Sequence, residues 1–199
     1  MEIDNIINFI KLINQFREIE RVIFMKDSDR RENDIEHSYQ LAMCAWYVIS
    51  TNKLPLNVEQ AVKYALVHDL VEIYAGDVLV YEQNDPVVKK QKEERELEAL
   101  EKLKIGYSEF PEMTDLIEGY QTKADEESKF VYALDKLIAP INLYLDNGRM
   151  WHEYNISFDK FYSTKKPKAH VYPEVGKYFD QLVEILEKEK EDLFHNDNN

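Results

Sequence analysis

Apolar residues recur at intervals of three and four along most of this chain, and little interrupts them. Ile3, Ile6, Ile7, Ile10, Ile13 and Phe16 mark one face of a helix over 2–20. His37, Leu41, Cys44, Ala45 and Val48 form a stripe on a second, over roughly 35–51. Ala61, Tyr64, Ala65 and His68 share a face of a third, which Asn57 and Gln60 open as a capping box and Gly76 ends after about Tyr74. Asp85-Pro86 reads as the N-cap and first residue of a fourth. Its apolar stripe (Val88, Leu97, Leu100, Leu103) is thin, and its charges alternate in sign as on a solvated face. A shorter helix is expected over 110–120, and Asp125 caps one through Leu145 with a kink at Pro140. Its segment from Phe130 to Ile141 is apolar nearly all round and therefore buried. The last helix covers about 173–194, with Val175, Phe179, Leu182, Val183 and Leu186 inward. Residues 26–34 read as a polar loop, 157–162 as a short turn, and 195–199 as a frayed end. Five Gly and six Pro in 199 residues are too few for a sandwich or barrel of short strands. With no repeat, linker or shift in composition, residues 1–199 are expected to form one all-α domain, its core within about 8–190.

Charge narrows the function. Lys and Arg number 25 against 39 Asp and Glu, a net charge of −14. Polynucleotides and anionic lipid surfaces call for a basic face, so neither is an expected partner. The single cysteine, Cys44, excludes an internal disulfide, a zinc ribbon and an iron–sulfur cluster, and suits a reducing compartment. No apolar run approaches the ~18–20 residues of a membrane span. The N-terminus lacks the basic start and clean apolar stretch of a signal peptide, so the expected location is the cytoplasm.

The informative anomalies are polar residues on inward faces. Asp135 lies in FVYALDKLIAPI, where a lone carboxylate costs several kcal/mol unless paired or bound to a cation. Lys136 is its neighbour in sequence, about 100° round the helix, and is expected to be a poor partner. A basic residue on another helix and a metal both remain open. His68 and His37 share the stripes of Ala61 and Ala65 and of Leu41 and Ala45; each alone could be a hydrogen-bonded core histidine. Together with Asp69 they make a site of two imidazoles and two carboxylates, suited to Mn, Fe, Co, Ni or Zn rather than Ca. Glu72, four residues after His68, is placed for acid–base work beside such an ion.

The order His37, His68-Asp69, Asp135 resembles the H…HD…D signature of HD-domain metal-dependent phosphohydrolases. The strings IEHSYQLAM, ALVHDLVEIYAGDV and EESKFVYALDKLIAPI resemble the 5′-deoxynucleotidase-type branch, over roughly residues 8–190. The resemblance implies a helical bundle in which His37, His68, Asp69 and Asp135 hold one divalent ion (Mn, Co, Fe, Ni, Zn or Mg). It makes Glu72 the acid–base carboxylate and Asp77 the residue that touches the sugar. Arg21, or Arg30, would contact the substrate phosphate. Binuclear relatives use further histidines between HD and the last Asp; none occurs between His68 and His152, so one ion is implied. His152, His170 and His195 match no ligand position.

The expected reaction is release of the 5′-phosphate from 2′-deoxynucleoside 5′-monophosphates by attack of a metal-bound water. A ribonucleotide, guanosine tetraphosphate or a cyclic nucleotide would suit the same ligands, as would a non-catalytic metal or nucleotide sensor. An intact Glu72 and Asp77 weigh against the sensor. Members of this branch are often dimers, and 13 Tyr and 9 Phe would furnish an interface.

Overall fold

The computed structural model describes residues 2–76 and 86–195. Asp77, Asp85 and residues 196–199 lie outside them, so the expectations for a sugar contact, an N-cap and most of a frayed end are not addressed by it. The chain runs α1 (Ile3–Arg17), β1 (Glu20–Phe24), β2 (Arg31–Asn33), α2 (Asp34–Asn52), α3 (Val58–Val67) and α4 (Glu72–Ala75). It continues with α5 (Pro86–Gly106), α6 (Pro111–Thr122), α7 (Glu126–Leu145), α8 (Arg149–Glu153), α9 (Phe158–Ala169), α10 (Pro173–Lys188) and α11 (Lys190–Leu193). The architecture is helical, as the spacing of apolar residues requires. None of the described helices is long and apolar enough to cross a membrane.

Capping explains several boundaries. Asn33 opens α2 with a reciprocal capping box to Glu36, and Asp125 opens α7 with one to Ser128. At α3 only half of the expected box forms: Asn57 accepts from the Gln60 amide, while the Gln60 side chain turns to Tyr64 and Asp125. Gly76 ends α4 at φ 74°, ψ 151°, a conformation that belongs to glycine.

α7 is the central element. Phe130, Val131, Ala133, Leu134, Leu137 and Ile138 are buried on it among residues of α2, α3, α9 and α10. The helix runs through Pro140. A second apolar cluster joins Leu12 and Phe16 of α1 to Leu100 and Leu103 of α5 and to Met113 and Ile117 of α6.

Four local features depart from the sequence reading. The polar segment 26–34 is the turn and return strand of an antiparallel hairpin, with Glu20 opposite Asn33 and Phe24 opposite Arg31. The short turn expected at 157–162 is the start of α9, whose lysines had masked its apolar side: Phe161 is fully buried against Trp151, Phe179 and Phe194. The third helix stops at Val67 instead of Tyr74, and residues 68–71 lead into α4 by tight turns such as Glu72 N–H to the Asp69 carbonyl. Finally, the isoleucine stripe of α1 faces outward: Ile3, Ile6, Ile7 and Ile10 are exposed, whereas Leu12 and Phe16 carry its burial.

Candidate metal centre

Two groups of potential ligands, all buried but the half-buried Asp69, lie side by side. The first joins His37 of α2, His68 at the end of α3 and Asp135 of α7. The His37 ring packs 5.4 Å from the His68 ring, and its Nε2 lies 3.0 Å from Asp135 Oδ1. The second joins Asp34, Asp69 and Glu72. Asp69 links the two, its Oδ2 being 2.9 Å from His68 Nε2. The break in the helix after Val67 matters here. Bonds from each residue to the third before it, such as Leu70 N–H to the Val67 carbonyl, tighten the chain there, and Asp69 and Glu72 come together with Asp34.

The donor set fits a divalent ion. His68 donates its Nδ1–H to the Ala65 carbonyl at 2.9 Å, which leaves Nε2 to bind. That Nε2 is buried and faces the Asp69 carboxylate at 2.9 Å, an imidazole nitrogen and a carboxylate converging as two ligands of one cation would. His37 presents Nε2 to the same space, and its Nδ1 faces Glu32 at 3.7 Å. Two imidazoles with buried carboxylates are chemistry for a transition-series ion.

Electrostatics bind the groups together. Burial, and then Arg21, lowers the His37 imidazole to about 4. Burial also opposes charge on His68, but Asp69 and Asp135 outweigh it and raise its pKa. Burial would raise Asp69, and His68 and Arg21 overcome it, holding the carboxylate well below its ordinary range. For Asp135, Lys136 and His37 do the same. Burial lifts the Tyr120 hydroxyl well above its usual value, and that hydroxyl donates to Asp135 at 3.4 Å.

The expected residues fare differently. His37, His68 and Asp135 come together, and Asp69 and Glu72 adjoin them. Arg21 also arrives, by way of β1, but its guanidinium is engaged by acids: 2.9 Å to Asp69, 3.2 Å to Asp34 and 3.4 Å to Glu32. Arg30 stays exposed on the hairpin in a two-pronged pair with Glu36, both contacts 2.8 Å. Lys136, expected to miss Asp135, reaches it at 2.5 Å, because a flexible four-carbon stem can curl back over its own turn. Among the other histidines, His152 contacts the Asp192 carbonyl and His170 contacts Asp180, both away from the ligand groups.

Three residues of the site escaped the sequence reading. Glu32 and Asp34 sit in or beside a stretch that reads as a polar loop, yet they are 4% and 0% exposed. Tyr120 carried no signal beyond an aromatic on an amphipathic helix.

The fold and the ligand groups together define an HD-domain phosphohydrolase. The family model for the HD domain matches residues 13–175, and the chain belongs to that family. The 5′-deoxynucleotidase HDDC2 of Bos taurus is 30% identical over 195 residues, covering 94% of this chain and 86% of its own. Its Homo sapiens counterpart shows the same identity and coverage. Among solved structures, a predicted metal-dependent phosphohydrolase of Magnetospirillum magnetotacticum shares the fold with a TM-score of 0.81. That match covers 98% of each chain at 24% identity.

Proposed function

We propose that this protein removes the 5′-phosphate from 2′-deoxynucleoside 5′-monophosphates, using one divalent ion per chain held by His37, His68, Asp69 and Asp135. The observation that carries the reading is the convergence of the buried Nε2 of His68 with His37, Asp69 and Asp135 beside a cavity. Relatives named 5′-deoxynucleotidase at about this chain's full length support the substrate class.

A divalent ion in this set, when bound, draws charge from the phosphoryl oxygen and makes water a stronger acid. Glu72, buried at 5% exposure beside Asp69, takes the proton of the attacking water. The water oxygen bonds to phosphorus as the bond from phosphorus to O5′ breaks. A proton passes to O5′, and deoxynucleoside and inorganic phosphate leave. Arg21, engaged by three carboxylates, acts by fixing Asp69 rather than by meeting the phosphate, and Arg30 stays with Glu36. Asp77, outside the described residues, is assigned the 3′-hydroxyl of the sugar.

A carboxylate on the 3′-hydroxyl leaves little room at C2′. An extra hydroxyl buried there unpaired costs about 1–3 kcal/mol, so dAMP should outrun AMP by roughly 5- to 150-fold. Phosphate release with Mn or Co, measured on both nucleotides side by side, is the test. Equal rates would sink the deoxy assignment. No release from either would favour guanosine tetraphosphate or a sensor role.

We read the protein as one cytoplasmic domain that pairs with a second copy. The outward stripe of α1 (Ile3, Ile6, Ile7, Ile10) and the exposed Met43 and Trp46 of α2 supply apolar surface for an interface. Sedimentation velocity should return twice the 23.7 kDa chain mass.

A further inference from the structure

The cavity that reaches the proposed metal ligands has a second wall that carries three lysines beside Glu93 and Glu96. It encloses about 440 Å³ and is bounded by His68 and Asp69 on one side and by Lys92, Lys136 and Lys168 on the other, with Tyr120 between. In a protein of net charge −14, three lysines from three helices (α5, α7 and α9) meet in one hollow.

Most of that charge is already answered. Lys136 pairs with Asp135, and Lys92 pairs with Glu96 at 3.3 Å. Glu93, the other acid of the α5 wall, faces Lys89 at 3.8 Å. Lys168 differs: among the described residues it makes no ion pair. Its charged neighbours are mostly lysines, since Lys136, Lys92 and Lys89 all act against its ammonium and only Asp135 favours it. Lys165, one helical turn earlier on α9, is buried behind it at 5% exposure. Like charges converging in a half-buried hollow are unfavourable unless an anion joins them.

We propose that the Lys136–Lys168 wall is the subsite for the phosphate dianion of the substrate, with Lys168 the cation committed to it. The proposal rests on the phosphomonoesterase reading for what brings the phosphate, and on this cavity for where it binds. The ligand groups and the lysines share one hollow, so an anion can be held from both sides. Arg21 does not line that hollow, and its Nη1 is held by Asp34 and Asp69 while its Nε lies 3.4 Å from Glu32.

The experiment is titration calorimetry of inorganic phosphate into the purified protein, with kinetics on dAMP run in parallel. The variants are K168Q and, as the charge-preserving partner, K168R. Loss of one charge-assisted contact should weaken phosphate binding about 10- to 100-fold in K168Q. KM for dAMP should rise by a similar factor with kcat nearly unchanged, because a contact made equally in ground and transition states affects binding alone. K168R should recover most of both. Unaltered phosphate affinity in K168Q, or a wild type that binds no phosphate, would overturn the subsite. Lysine-dependent phosphate binding with no turnover of dAMP would leave the subsite standing and remove the nucleotidase reading. Turnover with an unaltered KM in K168Q would do the reverse.

Discussion

Two cationic regions flank the proposed metal ligands, and they are built on opposite terms. On the hairpin side, Arg21 is 14% exposed and closed in by Asp34, Asp69 and Glu32. On the α9 side, Lys168 sits among lysines and makes no ion pair among the described residues. A cation already engaged by several carboxylates holds a protein together and offers less to a ligand. An unsatisfied one destabilises the free protein slightly and is available to an incoming anion. The contrast separates scaffold from subsite better than counting positive charges.

The largest effect should come from the acidic residue that the Arg21 side places beside the ligands. Glu72→Gln keeps the volume and removes the proton acceptor, so kcat should fall about 10²- to 10⁴-fold with metal content intact. Stopped assays with elemental analysis of the same sample check both halves. Turnover near the wild-type rate would show Glu72 to be scaffold like its neighbours.

Next is the comparison itself. Arg21→Met leaves buried carboxylates uncompensated, which typically costs about 3–5 kcal/mol. Urea denaturation should show that loss in Arg21→Met, and no comparable loss in Lys168→Met. If both variants are equally destabilised, Lys168 is a structural cation and the distinction collapses.

The smallest effect is a pH dependence. Burial, and then Lys136 and Lys92, lowers Lys168 from 10.5 to about 8. The folded chain therefore sheds this proton before the unfolded chain does, and folding gains stability as pH rises between those two values. Phosphate binding needs the charged form and runs the other way, so affinity should decline as pH climbs through 8. Calorimetry from pH 7 to 9 should show the decline in wild type and not in K168R, whose guanidinium stays charged. Parallel curves would remove Lys168 from the binding event.

Much of the site was legible because its chemistry is anomalous where it stands. Asp135 inside an apolar helix and histidines on inward stripes violate the patterning around them, and such violations survive without a structure. Arg21 and Glu32 were harder. They lie on a hairpin of five and three residues, too short for alternation to register against the surrounding charge. Lys168 and Lys165 were hidden because the sequence reading saw only a short turn at 157–162 and no helix through them, and their burial depends on α7 packing across α9. The isoleucine stripe on α1 shows the converse limit. Periodicity announced an apolar face and could not say whether this chain or another covers it.

The sequence by itself determined the helical class, the caps at Asn57 and Asp125, the break at Gly76, the buried α7 and the residues able to ligate an ion. These follow from local propensity and from burial cost, which depend on a residue and its near neighbours. Only the tertiary structure decided that α3 stops at Val67 and turns Asp69 toward Arg21, and that Lys168 faces a hollow shared with His68. Those outcomes are set by contacts between residues distant in the chain. A charge is scaffold or subsite according to which opposite charge folding brings beside it.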